Sequence, residues 1–366
     1  MQSTRKVNEA NREHVSFDDY IDDLGQIYRQ TDLDRDVTDV LLNLIMHTSR
    51  VSEAVRRNQA AAILEELSDV AAWLLSLVAK RQSVKDHPLD RIFYSDSSMT
   101  EIILGKYPAH CPACLERELT DEVFEGILTR PQLTEEEVRA AVERLSRVFA
   151  PGVPRPCLCL SCPTAEYRNE ADPPEIKRNK RLVRRAYASA NIGLISRTAG
   201  DVEDMFRRIY KTNAQNSSLE DIAFHLQEEV GEVAEALLRT YTYNRGNGQI
   251  VGTRKLYGER MEHVDEEIAD VFSWMYSLIF KIQGLIANVD KWWEITISAA
   301  TSGMLNWNAI SLPAIIWVKY GDEQPKGPRN ADRRFLRCGD CYQHVCQCKF
   351  LIARKEELVE EVLQWK

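Results

Sequence analysis

Apolar residues in the second half of the chain recur at steps of three and four. Ile222, Leu226, Val230, Val233 and Leu237 make one such stripe, the spacing that gathers side chains on one face of an α-helix. Ser218 and Asp221 stand ahead of it in capping-box register. A second stripe, Val264, Ile268, Val271, Phe272, Met275 and Ile279, predicts another helix downstream. With successive residues about 100° apart, Glu229 falls on the rim of the first stripe and Glu232 further round the same flank, while Glu228 and Glu235 point away. Glu267 and Asp270 lie one turn apart beside the second stripe. The pattern therefore predicts two amphipathic helices whose i,i+3 carboxylate pairs can face each other.

Four carboxylates held together repel one another and take up protons unless a cation compensates them. Hard oxygen donors select magnesium or manganese. Magnesium is commonly shared between carboxylates and substrate phosphates, so the expected substrate is a phosphate ester or anhydride.

The same elements occur earlier in the chain. Tyr28-Arg29 aligns with Tyr210-Lys211, and Val51-Ser52-Glu53-Ala54 with Val233-Ala234-Glu235-Ala236, at an offset of 182. Glu65-Glu66 and Asp69-Val70 then match Glu266-Glu267 and Asp270-Val271 at an offset of 201, as Trp73 matches Trp274. The second copy thus carries 19 extra residues (201 less 182) between its two carboxylate pairs. Such self-similarity argues for two copies of one helical unit.

Glu228-Glu229-Val230-Gly231-Glu232, with Glu267-Ile268-Ala269-Asp270, resembles the signature of the MazG family of all-α nucleoside triphosphate pyrophosphohydrolases. The flanking Val233-Ala234-Glu235-Ala236 and Val271 strengthen the likeness. The resemblance implies cleavage between the α- and β-phosphates of a nucleotide, giving a monophosphate and pyrophosphate. It also implies a fold of two tandem MazG-like helical bundles forming an intramolecular pseudo-dimer, since units of this family pair as dimers. In this reading Glu229, Glu232, Glu267 and Asp270 hold one or two magnesium or manganese ions. A water that Glu228 helps to activate attacks the α-phosphorus. Arg207, Arg208, Lys211 and Lys319 are the candidates for a phosphate clamp.

In the first copy His47 and Arg50 replace Glu229 and Glu232, while Glu66 and Asp69 remain. A guanidinium cannot bind a metal but can neutralise two carboxylates through its fork of donors. The expectation is that Arg50 stands where the metal would be and that this copy is structural.

Eight of the nine cysteines fall into two similar sets. Cys111 and Cys114 precede Cys157 and Cys159; Cys338 and Cys341 precede Cys346 and Cys348. Four thiolates suit a closed, structural zinc site, and the N-terminus has no signal-peptide pattern that would point to disulfides. Lys106-Tyr107 before the first set and Lys319-Tyr320 before the second make the knuckles part of the repeated unit. Within the first set, Thr134 and Glu137 predict a helix in capping-box register. Cys162 is either a substitute ligand or a spare thiol.

The expected organisation is a degenerate repeat over 1–162, a basic linker over 163–198, a catalytic repeat over 199–350 and a C-terminal helix over 351–366. Composition agrees with two ordinary cores: 366 residues, 44% of them hydrophobic. The apolar stretches around 271–280 and 309–318 are too short or interrupted for a membrane span, and the cytoplasm is the expected location. A net charge of −9 speaks against nucleic acid. Lys177, Arg178, Lys180, Arg181, Arg184 and Arg185 break that balance, either as a solvated helix face or as a clamp onto acidic neighbours. The glycine-rich insertion within 243–260 either closes on the triphosphate or is an exposed turn. Trp292, Trp293 and Trp307 either stack on a base or fill the core. Two other functions stay open: a non-enzymatic nucleotide-sensing or assembly module, and a hydrolase of a signalling or phosphoribosyl nucleotide. A homo-oligomer or partner protein also stays open.

Overall fold

The structure is a computed structural model that describes residues 15–28, 35–83, 93–119, 126–154, 156–157, 173–194, 198–245, 254–287 and 310–320. Among them α-helix dominates, and the only β pairing is one isolated bridge between Ser16 and Thr198. The chain is all-α, as its periodicity predicts. Eleven helices organise the description: α1 Phe17–Ile27, α2 Val37–Arg56, α3 Ala60–Ser83, α4 Met99–Lys106, α5 Pro112–Arg117 and α6 Glu135–Val148. They continue with α7 Pro174–Asn191, α8 Ala199–Asn216, α9 Leu219–Arg245, α10 Arg254–Ala287 and α11 Leu312–Tyr320.

Local chemistry sets the helix starts. Ser16, Asp36, Ser98 and Thr134 each cap a helix through a reciprocal box with the acidic residue three positions on. The box expected before α9 is present: the Ser218 amide donates to Asp221 and the Asp221 amide to Ser218 Oγ, 3.3 and 3.0 Å. Past these starts the apolar stripes hold the helices in place. All eleven stripe residues named above on α9 and α10 are buried.

The helices pack in corresponding pairs. Helix α2 lies against α3 as α9 lies against α10; α1 covers α3 as α8 covers α10; α2 and α9 pack on each other. The fourth members cross over, α4 packing on α10 and α11 on α3. One continuous apolar cluster, from Phe17 to Tyr320, draws on both sets. A smaller second core gathers Leu115, Leu128, Leu145, Val183 and Tyr187 beneath α6 and α7. Within the segment expected as a basic linker, Pro174–Asn191 is therefore a packed helix: Val183, Arg184 and Tyr187 of α7 are buried.

Candidate functional site

Two acidic clusters sit where the helix pairs meet. In the first, carboxylate oxygens of Glu229, Glu267 and Asp270 lie within 4.8 Å of one another. Glu232, half-buried, shares a hydrogen bond with Glu267. Three of the four carboxylates expected to converge are together, with Glu232 joined to them through Glu267. Glu228 is not among them: its Oε2 lies 3.1 Å from His225 Nδ1, one step round α9.

Burial makes the cluster electrostatically expensive. Desolvation, with the charge of Asp270 next, pushes the Glu229 carboxyl up to about 9, and burial likewise raises Asp270. Glu267 is buried too, yet His263, whose Nδ1 lies 3.0 Å from its Oε1, and the charge of Lys106 hold it below the ordinary carboxylate value. Three buried carboxyls cannot all ionise so close together without positive charge among them. Part of that charge comes from α4. Lys106 Nζ is ion-paired with Asp270 Oδ2, and Tyr107 OH donates to Asp270 Oδ1 at 2.5 Å. Burial alone would neutralise Lys106, but Asp270, Glu267 and Glu266 outweigh it and raise its pKa.

The second cluster repeats the arrangement with one ligand changed. His47 Nδ1 lies 2.9 Å from Glu66 and 3.3 Å from Asp69. Lys319 Nζ is 2.6 Å from Asp69 Oδ2, and Tyr320 OH donates to Asp69 Oδ1 at 2.5 Å. The Lys-Tyr pairs are thus exchanged, each closing the acidic pair of the other half. This corrects Lys319 as a phosphate candidate for the Glu229 cluster, where Lys106 takes that place. Arg50 is corrected as well. Its Nη1 lies 4.0 Å from Glu66 and its side chain is 53% exposed, so it stands at the rim while Lys319 and His47 occupy the inside.

The other basic candidates are elsewhere. Arg207 binds Glu203 and Gln283 at 2.5 and 2.8 Å and lies over the Phe280 ring. Arg208 and Lys211 are exposed. Helix α7 supplies a clamp rather than a solvated face. Arg184, fully buried, bridges Glu116 and Glu266 at 2.5 Å each, and Arg181 and Arg185 reach Glu266 at 2.9 and 3.1 Å. These arginines hold Glu266 at about 2 despite its burial. Arg81 of α3 similarly binds Asp265 at 2.7 Å. The acidic side of α10 is pinned, leaving Glu267 and Asp270 to face the cluster.

An aromatic edge borders the centre. Trp274 Nε1 donates to Glu229 at 3.3 Å, and the His225 ring stacks on Trp274 at 4.6 Å. Its match with Trp73 singles Trp274 out in the sequence, but nothing in the sequence places it beside the carboxylates. Trp292, Trp293 and Trp307 lie outside the described residues, as do residues 246–253 of the insertion and Cys159, Cys162, Cys338, Cys341, Cys346 and Cys348. Cys111, Cys114 and Cys157 are described, and their sulfurs lie within 4.8 Å of one another.

No protein-family model, curated protein or solved structure matches the chain. Among the described residues no helix is long and apolar enough to cross a membrane.

Proposed function

We propose that the chain is a magnesium-dependent nucleotide pyrophosphohydrolase of the MazG-like kind, converting a nucleoside triphosphate or related nucleotide to the monophosphate and pyrophosphate. In this reading two tandem repeats form an internal pseudo-dimer. The observation that carries it is the gathering of Glu229, Glu232, Glu267 and Asp270 at one point with Lys106 and Tyr107 from the other half. The crossing of α4 onto α10 and of α11 onto α3 supports the pseudo-dimer.

The donor set fits a hard cation: it is all carboxylate oxygen, buried or half-buried, and carries more negative charge than Lys106 balances. Glu229, Glu232, Glu267 and Asp270 would hold magnesium or manganese, which would supply positive charge to the phosphates and to the departing pyrophosphate. Lys106 is the internal counter-ion of the cluster. With Asp270 engaged by a bound cation, the Lys106 ammonium would be placed to meet a phosphate oxygen. Tyr107 keeps Asp270 oriented through its hydroxyl. His225 and Trp274 offer an aromatic edge beside the ligands against which a base can stack. The His47 cluster, with a ring and an ammonium inside it, is the structural counterpart.

The test is pyrophosphate release from a panel of nucleotides with magnesium. Asp270→Ala and Glu232→Ala should abolish it while the melting curve stays cooperative, and Glu66→Ala should retain most of it. Equal inactivity of Glu66→Ala and Asp270→Ala would sink the division of roles between the two halves.

A further inference from the structure

The sulfurs of Cys111, Cys114 and Cys157 meet at a junction of three chain segments, away from the carboxylates. Cys111 and Cys157 are buried, Cys114 is half-buried, and none is disulfide-bonded. The Cys114 and Cys157 sulfurs are 3.8 Å apart. A disulfide needs about 2.05 Å. Two thiolates on one tetrahedral zinc, each at about 2.3 Å, stand about 3.8 Å apart. The spacing is that of co-ligands.

The surroundings fix this cluster to α8. The Cys157 amide donates to the Ile209 carbonyl at 2.9 Å, and the Tyr210 hydroxyl hydrogen-bonds with Cys111. A hydroxyl on a ligand sulfur is the kind of outer contact that orients metal ligands. On the other side the cluster is joined directly to the arm that reaches the acidic centre. Between Tyr107 and Cys111 the chain makes one tight turn, with Ala109 at φ 64° and its amide bonded to the Tyr107 carbonyl at 2.8 Å. A left-handed alanine is strained and persists only where its neighbours dictate it. The turn is held at one end by Lys106 and Tyr107 on Asp270 and at the other by the thiols. The Tyr107 ring also packs edge-on against Phe206 and Tyr210.

We propose that Cys111, Cys114 and Cys157 bind a zinc ion and that this ion braces the strained turn, setting Lys106 and Tyr107 against the acidic centre. Zinc binding releases the thiol protons and joins the 111–114 segment to the 157 segment and, through it, to α8. Without it, the arm is tied to α8 by ring contacts and weak thiol hydrogen bonds. The brace is independent of the reaction carried out at the carboxylates, and its test reads no turnover.

The experiment uses the full chain purified under reducing conditions. Elemental analysis of the wild type and of Cys114→Ser should differ by one zinc per chain, whatever the remaining cysteines hold. Lys106 should resist acylation in the wild type, followed by mass spectrometry, and label severalfold faster in Cys114→Ser or after zinc is stripped with a chelator. Equal zinc content in the two proteins overturns the site. Unchanged Lys106 labelling after zinc loss overturns the brace. If Cys114→Ser does not fold, alkylation of the wild type decides: half-buried Cys114 should react slowly as purified and rapidly after stripping, and equal rates overturn the proposal.

Discussion

Arg184 shows how a single side chain fixes the acidic face of α10. Its guanidinium is buried between Glu116 and Glu266, so deleting it leaves carboxylates that burial penalises. Arg184→Met should lower stability by about 3 kcal/mol in urea denaturation, the lower part of the range for breaking a buried pair, because Arg181 and Arg185 still reach Glu266. Arg50→Ala should cost under about 1 kcal/mol, since the Arg50 side chain is 53% exposed and screened by water. Glu203 on α8 gives a pH signature. Burial pushes its carboxyl up to about 7, with Arg207 and the Leu312 amide offsetting only part of the effect. Above its ordinary value of 4.5 the unfolded chain ionises this group while the folded protein keeps the proton, so stability falls as pH rises towards 7 and then levels. Glu203→Gln should remove most of that slope, and chemical denaturation at several pH values between 4.5 and 7 would show it. An unchanged slope would mean that another group carries it.

At the scale of elements, α9 and α10 were legible because their apolar residues repeat at 3.6, and the start of α9 is written in Ser218 and Asp221. The convergence of Glu229 with Glu267 and Asp270 was legible for the same reason: each pair lies at i,i+3 beside a buried stripe. The exchange of α4 and α11 was not. Sequence offset equates Lys106 with Lys319 but carries no information about which helix each packs on, and Lys106 and Asp270 lie 164 positions apart. The role given to Arg50 failed for a related reason. Its alignment with Glu232 was sound, but on the helix that position lies outside the buried rim, and Lys319 arrives from the other half to fill the inside. The crossing makes an asymmetric prediction. Lys106→Ala should remove pyrophosphate release by exposing the Glu229 cluster's uncompensated charge and stripping the nearest phosphate donor. Lys319→Ala should leave release largely intact and lower the melting temperature, because Asp69 stays buried with only His47 and the Tyr320 hydroxyl to compensate it. Matched steady-state assays and melts of the two variants separate these effects, and equal loss of turnover would refute the assignment.

Over the whole molecule, the crossed helices make the two halves mutually dependent. The main apolar cluster takes α1, α2 and α3 from one half and α8, α9 and α10 from the other, and α2 packs directly on α9. Ion pairs follow the same route: Arg81 of α3 is buried on Asp265 of α10, and Ser97 donates to the other Asp265 oxygen at 3.0 Å. Neither half can keep its buried face covered when the other unfolds, so no intermediate with one intact half has a favourable free energy. The main core should therefore melt in a single calorimetric transition rather than two. Arg81→Met, which leaves half-buried Asp265 with its Ser97 hydrogen bond but without its buried arginine, should move that transition down as one peak. A split into two peaks, one retaining the helix signal of half the chain, would show that the halves fold separately, and that the exchanged Lys-Tyr contacts join finished units instead of completing a shared one.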